Sequence, residues 1–371
     1  MDARFATLSL ETRQILRKAG FTSVKSVLAL SPTDLSKELE LDLAATYKLI
    51  EELRGPITTQ KSKIENAFDM LQNHDLAGVR HITTLCRPLD LILEGGIPRR
   101  ALTELCGAPG SGKTQLCMQV AVAVTIPEAC AGLEGEALYL DTEGSFSPLR
   151  AQAMASALSA HLKHQTKGEM AIPSTDEILS SIHVCRAHDS GDQLAFLRNL
   201  PHFLKTHPKV KLVVIDSVAH HFRHDFADFS QRGKILSSMA HSLNTIANDF
   251  DLVVLVTNHM TTRGDQGLVP ALGEHWYHGV TNRIMLSKLD EEVEWKQPRS
   301  KGENQAIERL PVRRAEIVKA SSVSSASTDF VISSIGARAL KKQQTTSTET
   351  NSGQKKQRLE GEDIGTRQPT L

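Results

Sequence analysis

Gly107-Ala108-Pro109-Gly110-Ser111-Gly112-Lys113-Thr114 decides the fold, because it fills every fixed position of G-x-x-x-x-G-K-[ST]. Residues 101–106 before it read as an apolar strand, and residues 114–124 after it as an apolar helix. Strand, glycine loop and helix in that order let consecutive backbone N–H groups wrap a phosphate. The positive end of the following helix adds to the attraction. Every residue from Gly107 to Thr114 is therefore a candidate for holding nucleotide phosphates. Lys113 suits the β- and γ-phosphates, and the Thr114 hydroxyl suits a Mg²⁺ ion. A glycine turn that merely joins strand to helix is the plain alternative.

Outward from this loop the pattern alternates. Residues 137–140, 182–185, 212–215 and 252–257 read as further continuous apolar strands. Residues 149–162, 193–204 and 232–248 read as the helices between them. Unbroken apolar strands separated by helices predict an α/β fold with a mostly parallel sheet covered on both faces. Lys211-Leu-Val-Val-Ile-Asp216-Ser217 is a strand ending in an aspartate, placed to hold Mg²⁺ through its water at the carboxyl edge. Leu138-Tyr-Leu-Asp141-Thr-Glu143-Gly144 ends another strand at the same edge. There Glu143 is a candidate to orient or deprotonate an attacking water. A carboxylate capping the next helix is the alternative reading of Glu143.

Four parts are expected in all. Residues 1–55 read as short helices, with Ser31-Pro32 as a helix start and Gly20 as a turn; a small helical adaptor and a helix-hairpin-helix unit both fit. Residues 56–80 read as a linker, 81–338 as the α/β core, and 339–371 as a disordered basic tail. After Leu289 the chain turns polar, with a late hairpin expected at residues 315–320 and 329–335. Lys+Arg and Asp+Glu balance at 43 each, so any nucleic-acid contact rests on local basic loops rather than on bulk charge. The cysteines Cys86, Cys106, Cys117, Cys130 and Cys185 form no C-x-x-C pair, which suits a reducing compartment. No stretch approaches the roughly 20 apolar residues of a membrane span, and no signal peptide is read at the N-terminus, so no membrane partner is expected.

Together these motifs resemble the RecA/RadA recombinase family. The carriers are residues 107–114, Asp141-Thr142-Glu143-Gly144-Ser145-Phe146 with Arg150, and residues 212–217. Val256-Thr257-Asn258-His259-Met260-Thr261-Thr262 and Pro270-Ala271-Leu272-Gly273 with His278 and Arg283 complete them. Residues 104–110, 115–119, 222–225 and 268–274 are similar to the family's eukaryotic paralogues in particular. The resemblance implies a RecA-type core that binds ATP with Mg²⁺ and a slow, DNA-dependent ATPase in recombinational repair. It also implies nuclear work, with single-stranded DNA and other recombinase paralogues as partners in a hetero-oligomer. Glu143 matches the family's catalytic glutamate, and Arg150 an arginine packed on the adenine. Residues 220–232 match the first DNA-facing loop, and residues 261–275 the second.

Departures accompany the match. His259 stands where the family has a γ-phosphate-sensing glutamine, so His259 is a nucleotide-contact candidate of altered chemistry. Leu272-Gly273 replaces a Gly-Gly pair, Ala227-Asp228-Phe229 replaces an Arg-Gly pair, and the second loop is short. These changes suit an accessory subunit better than a self-polymerising strand-exchange recombinase. Arg223, Arg232 and Arg263 are candidate phosphate contacts for DNA, and Trp276 is either a base-stacking platform or a buried anchor. His220-His221-x-x-His224 has ligand-like spacing but lacks the companions of a metal site. Phe68 is either a plug for a neighbouring ATPase domain or the first turn of a helix packed on its own domain. Lys341-Lys342 and Lys355-Lys356-Gln357-Arg358 resemble a bipartite nuclear-import signal.

Overall fold

A computed structural model of the chain describes residues 10–21, 24–28, 30, 32–54, 67–68, 81–222, 229–263, 267–296, 307–321 and 323–340. The chain divides into two compact units, Met1–Gly78 and Val79–Leu371.

In the first unit, α1 (Leu10–Lys18), α2 (Val24–Leu28), α3 (Pro32–Glu38) and α4 (Leu43–Arg54) are short helices. None is long enough to be stable alone, and burial of one apolar face holds them. Leu16, Val24, Val27, Leu35, Leu39, Leu49, Ile50 and Leu53 form that core. Gly20, at φ +83°, ends α1: the Phe21 N–H returns to the Leu16 carbonyl at 2.8 Å. Pro32 opens α3 as its sequence predicts, while Ser31 lies outside the described residues. Ala67 and Phe68 are helical and Phe68 is 65% exposed, while the residues on either side of the pair lie outside the described residues.

The second unit opens with β1 (His81–Ile82), α5 (Arg87–Ile92) and β2 (Ile97–Pro98), where β1 and β2 pair antiparallel. Then come β3 (Ala101–Gly107), α6 (Lys113–Ala123), β4 (Glu136–Asp141), α7 (Pro148–Gln165), α8 (Thr175–Ser180) and β5 (Ile182–Arg186). The chain continues through α9 (Ser190–Thr206), β6 (Val210–Asp216), α10 (Ala219–Phe222), α11 (Phe229–Asp249) and β7 (Val253–Asn258). It closes with β8 (Met260–Thr262), β9 (Leu268–Pro270), α12 (Gly273–Gly279), β10 (Asn282–Lys296), β11 (Ile307–Lys319), β12 (Ser327–Ser333) and β13 (Gly336–Ala339).

Among the described residues one sheet runs β13-β12-β11-β10-β3-β7-β6-β4-β5. From β10 to β5 the neighbours are parallel, and from β10 to β13 they are antiparallel. Strand side chains alternate between the two faces, so an unbroken apolar strand feeds two cores. Val253 and Leu255 of β7 join Leu116, Val120 and Met154 on one face. Val254 and Val256 join Leu200, Leu243 and Trp276 on the other. Register then lines up the strand ends: Asp141 pairs with Asp216, and Cys106 with Asn258. That alignment puts the motif-bearing loops on a single edge.

The C-terminal half of the sheet differs from expectation. β10 and β11 form a long antiparallel ribbon out to Lys296 and Ile307, although only Asn282–Leu286 pairs with β3. Lys288, Asp290, Glu291, Glu292 and Glu294 interrupt the apolar alternation of β10, which is why it reads as polar chain. The expected late hairpin corresponds to β11 and β12, with β11 beginning earlier, at Ile307.

Candidate functional site

The phosphate loop leaves β3 at Gly107 and enters α6 at Lys113. Gly110 and Gly112 have φ of +76° and +107°, which favour glycine. A Cβ on Gly107 would lie 2.4 Å from the Leu286 carbonyl oxygen and 2.5 Å from Ser111 Oγ. At Gly110 it would meet nothing, so the cradle is open there. Lys113 Nζ folds back to donate to the carbonyls of Gly107 at 2.7 Å and Ala108 at 3.1 Å. Burial lowers its pKa, and the neighbouring carboxylates of Asp216 and Glu143 pull the other way. Ser111 Oγ is buried and has no hydrogen-bond partner among the described residues. A glycine cradle, an orphaned hydroxyl and a half-satisfied ammonium together fit a polyphosphate.

Asp216 stands at the end of β6, 2% exposed. It accepts from Tyr139 Oη at 2.7 Å and from Thr257 Oγ1 at 2.5 Å, and Thr114 donates to it as well. Burial pushes its carboxyl up despite these donors. A divalent cation would restore the buried negative charge, so Thr114 and Asp216 fit Mg²⁺.

Glu143 follows β4 in a loop wrapped around Asp141. One Asp141 oxygen accepts the backbone N–H groups of Glu143, Gly144 and Ser145 at 3.2, 2.7 and 3.1 Å; the other accepts that of Phe146 at 3.2 Å. Sequence reading assigned Asp141 no such role, although an aspartate before Thr-Glu-Gly is the signature of an Asx-type turn. Glu143 itself accepts from Ser217 Oγ at 2.5 Å and pairs with His259 Nε2 at 2.7 Å. Burial pushes the Glu143 carboxyl up, but hydrogen bonds from His259 and Ser217 and the charge of His259 and His220 outweigh it. The carboxyl is held at about 2. His259 thus reaches the site as expected, but its partner here is the carboxylate.

Arg150, near the start of α7, is held by Gln115 Oε1 at 2.5 Å and by the carbonyls of Ser333 and Ser334. Its guanidinium lies between the α6 start and the β12 end, beside the phosphate loop.

The expected DNA-facing residues divide. Arg263 is exposed after β8, in a hairpin with β9. Arg232 donates to the Ala271 carbonyl at 2.9 Å and so braces that hairpin's exit. Both line a cleft of about 830 Å³ with Thr261, His275 and His278. Arg223 lies outside the described residues, as does His224. Trp276 is fully buried, and its Nε1 donates to Glu104 Oε1 at 2.7 Å. The stacking-platform reading is therefore corrected: an indole with no exposed face cannot stack on a base. Glu104 also accepts from Asn258 Nδ2 at 2.8 Å and from Arg283 Nε at 2.5 Å. Among the described residues no three His, Cys, Asp or Glu form a metal cluster, and His221 is buried against the Ala187 carbonyl at 3.3 Å.

A model of the Rad51 family matches residues 77–290. The chain is 40% identical over 301 residues to DNA repair protein RAD51 homolog 3 of Cricetulus griseus, covering 75% of this chain and 81% of that protein. It is 38% identical over 232 residues to DNA repair protein RAD51 homolog 3 of Dictyostelium discoideum, covering 60% of each. It is 35% identical over 280 residues to DNA repair and recombination protein RadA of Metallosphaera sedula, covering 74% and 81% respectively. These matches bear out the motif-based resemblance, including its paralogue branch. They also bring the family's general character, that of DNA-dependent ATPases using ATP with magnesium. Phosphate loop, Asp216 and Glu143 all fall within the matched residues, and the chain belongs to the Rad51 family.

Proposed function

We propose that this chain is an ATP-binding accessory paralogue of homologous-recombination repair, acting in the nucleus with other recombinase paralogues on single-stranded DNA. The observation that carries the reading is the convergence of Lys113, Thr114, Asp216 and Glu143 on one sheet edge. Lys113 and the loop N–H groups bind the β- and γ-phosphates, while Thr114 and Asp216 hold Mg²⁺. When bound, Mg-ATP supplies an activated phosphoanhydride with its charge partly neutralised. Glu143 aligns the attacking water. At a pKa of about 2 it is a weak base, so orientation rather than proton removal is its first task. Arg150 packs on the adenine, His259 answers to the γ-phosphate, and Arg232 and Arg263 face DNA. Residues 341–342 and 355–358 serve nuclear import.

Hydrolysis of ATP by the full chain, with and without single-stranded DNA, tests this reading. Turnover accelerated by DNA and abolished in Lys113→Ala and Glu143→Gln supports a working ATPase. Binding without turnover supports a second reading, a nucleotide-gated scaffold. That reading is favoured by the engagement of Glu143 with His259 and Ser217.

A further inference from the structure

Arg313, on β11, lies beside Gly112 of the phosphate loop. A Cβ built on Gly112 would come within 3.4 Å of Arg313 Cδ and 3.5 Å of its Nε. Gly112 immediately precedes α6, so the Arg313 side chain runs past the end of the anion cradle, close enough to crowd a side chain at Gly112. Its Nη1 donates to the Pro311 carbonyl at 3.0 Å, while its Nε is buried with no hydrogen-bond partner among the described residues. No carboxylate pairs with it among those residues, in contrast to Arg314 on the same strand, which forks onto Asp329 at 2.7 and 2.9 Å.

A half-buried guanidinium with an orphaned donor and no counter-charge is unfavourable in isolation. Such a group is retained where an anion completes it, and guanidinium donors suit phosphate oxygens. The neighbourhood repeats the arrangement. Ile332, whose Cδ1 would lie 2.4 Å from a Cβ on Gly112, precedes Ser333 and Ser334, whose carbonyls hold Arg150. The end of β12 thus sets Arg313 and Arg150 on neighbouring sides of the α6 start, and both guanidinium pKa values are lowered by burial.

We propose that Arg313 is a nucleotide-contacting residue whose guanidinium donates to the polyphosphate held by residues 107–114. It joins Lys113 as a second side-chain cation at that polyphosphate. This deepens the nucleotide reading above and rests on it.

The test is equilibrium binding of a fluorescent N-methylanthraniloyl ATP, and of the corresponding ADP, to the full chain and to Arg313→Gln, Arg313→Lys and Lys113→Ala. Loss of one charge-assisted contact is expected to weaken both nucleotides by about tenfold or more in Arg313→Gln. Arg313→Lys is expected to recover part of that affinity. The ligand-free melting temperature of Arg313→Gln should be equal to or above wild type, because an uncompensated charge is removed. A merely structural strut gives the opposite pattern: a lower melting temperature and dissociation constants within twofold of wild type. That pattern, with binding lost in Lys113→Ala, overturns the proposal alone. Binding that survives Lys113→Ala overturns the nucleotide reading and this proposal with it.

Discussion

Glu143 shows how much one carboxylate owes to residues distant in the chain. His259 comes from the end of β7 and Ser217 from just past β6, yet both reach the same oxygen. Removing His259 takes away a hydrogen bond and a positive neighbour, so His259→Ala is expected to raise the Glu143 pKa toward its ordinary 4.5. If ionised Glu143 drives turnover, the acid limb of the pH–rate profile moves upward in that variant; an unmoved limb contradicts the pairing. Stability carries the same sign. The folded-state value is depressed, so ionisation of Glu143 favours the fold above about 4.5, and that contribution is lost as pH falls through about 2. Wild type and Glu143→Gln should therefore converge in unfolding free energy at the acid end of this window. Asp141 is the second lever: Asp141→Ala leaves four backbone N–H groups without their acceptor. It is expected to destabilise the chain by about 3 kcal/mol, measured by denaturant unfolding, and to reduce turnover through a displaced Glu143.

At the scale of elements, the close approaches set the tolerances. β3 and β10 pair so closely at Gly107 that a methyl group meets the Leu286 carbonyl, which is backbone and cannot swing aside. Gly107→Ala is expected to lower the melting temperature and weaken nucleotide binding together, because one strain distorts both strand pairing and loop. α12 is anchored by Trp276 against the face of the sheet carrying Val254 and Val256. Trp276→Ala is expected to destabilise by about 3–5 kcal/mol in denaturant unfolding. It also removes one donor from buried Glu104, whose Asn258 and Arg283 partners tie β3 to β7 and β10. A loss of DNA affinity in that variant without loss of stability would restore the stacking reading rejected above.

At the scale of the molecule, nearly every named site residue lies in the unit Val79–Leu371. A fragment of residues 79–371 is therefore expected to bind Mg-ATP with the affinity of the full chain. At a hundredfold excess over the dissociation constant, binding should stabilise the fragment by about 2.7 kcal/mol, read as a rise in its melting temperature. A fragment that folds but binds far more weakly would contradict this placement of the site. With Lys+Arg and Asp+Glu equal at 43, affinity for polyanions is a local matter here.

The α/β class, the phosphate loop and the gathering of Lys113, Asp216 and Glu143 at one sheet edge were legible because each rests on short-range pattern. Apolar runs mark buried strands, and glycine spacing marks a loop that must wrap phosphate. An aspartate or glutamate just past a strand marks the carboxyl edge. What the sequence could not decide is which distant groups meet. The His259–Glu143 pair, the burial of Trp276 on Glu104 and the nearness of Arg313 to Gly112 depend on strand order and register, which bring β7 beside β3 and set Arg313 of β11 and Ile332 of β12 beside Gly112, just before α6. The charged ribbon of β10 hid for the reverse reason: most of it lies beyond the parallel sheet, so no continuous apolar run announces it. Local composition determines what each segment can become; the sheet's topology decides which polar side chains are brought close enough to act together.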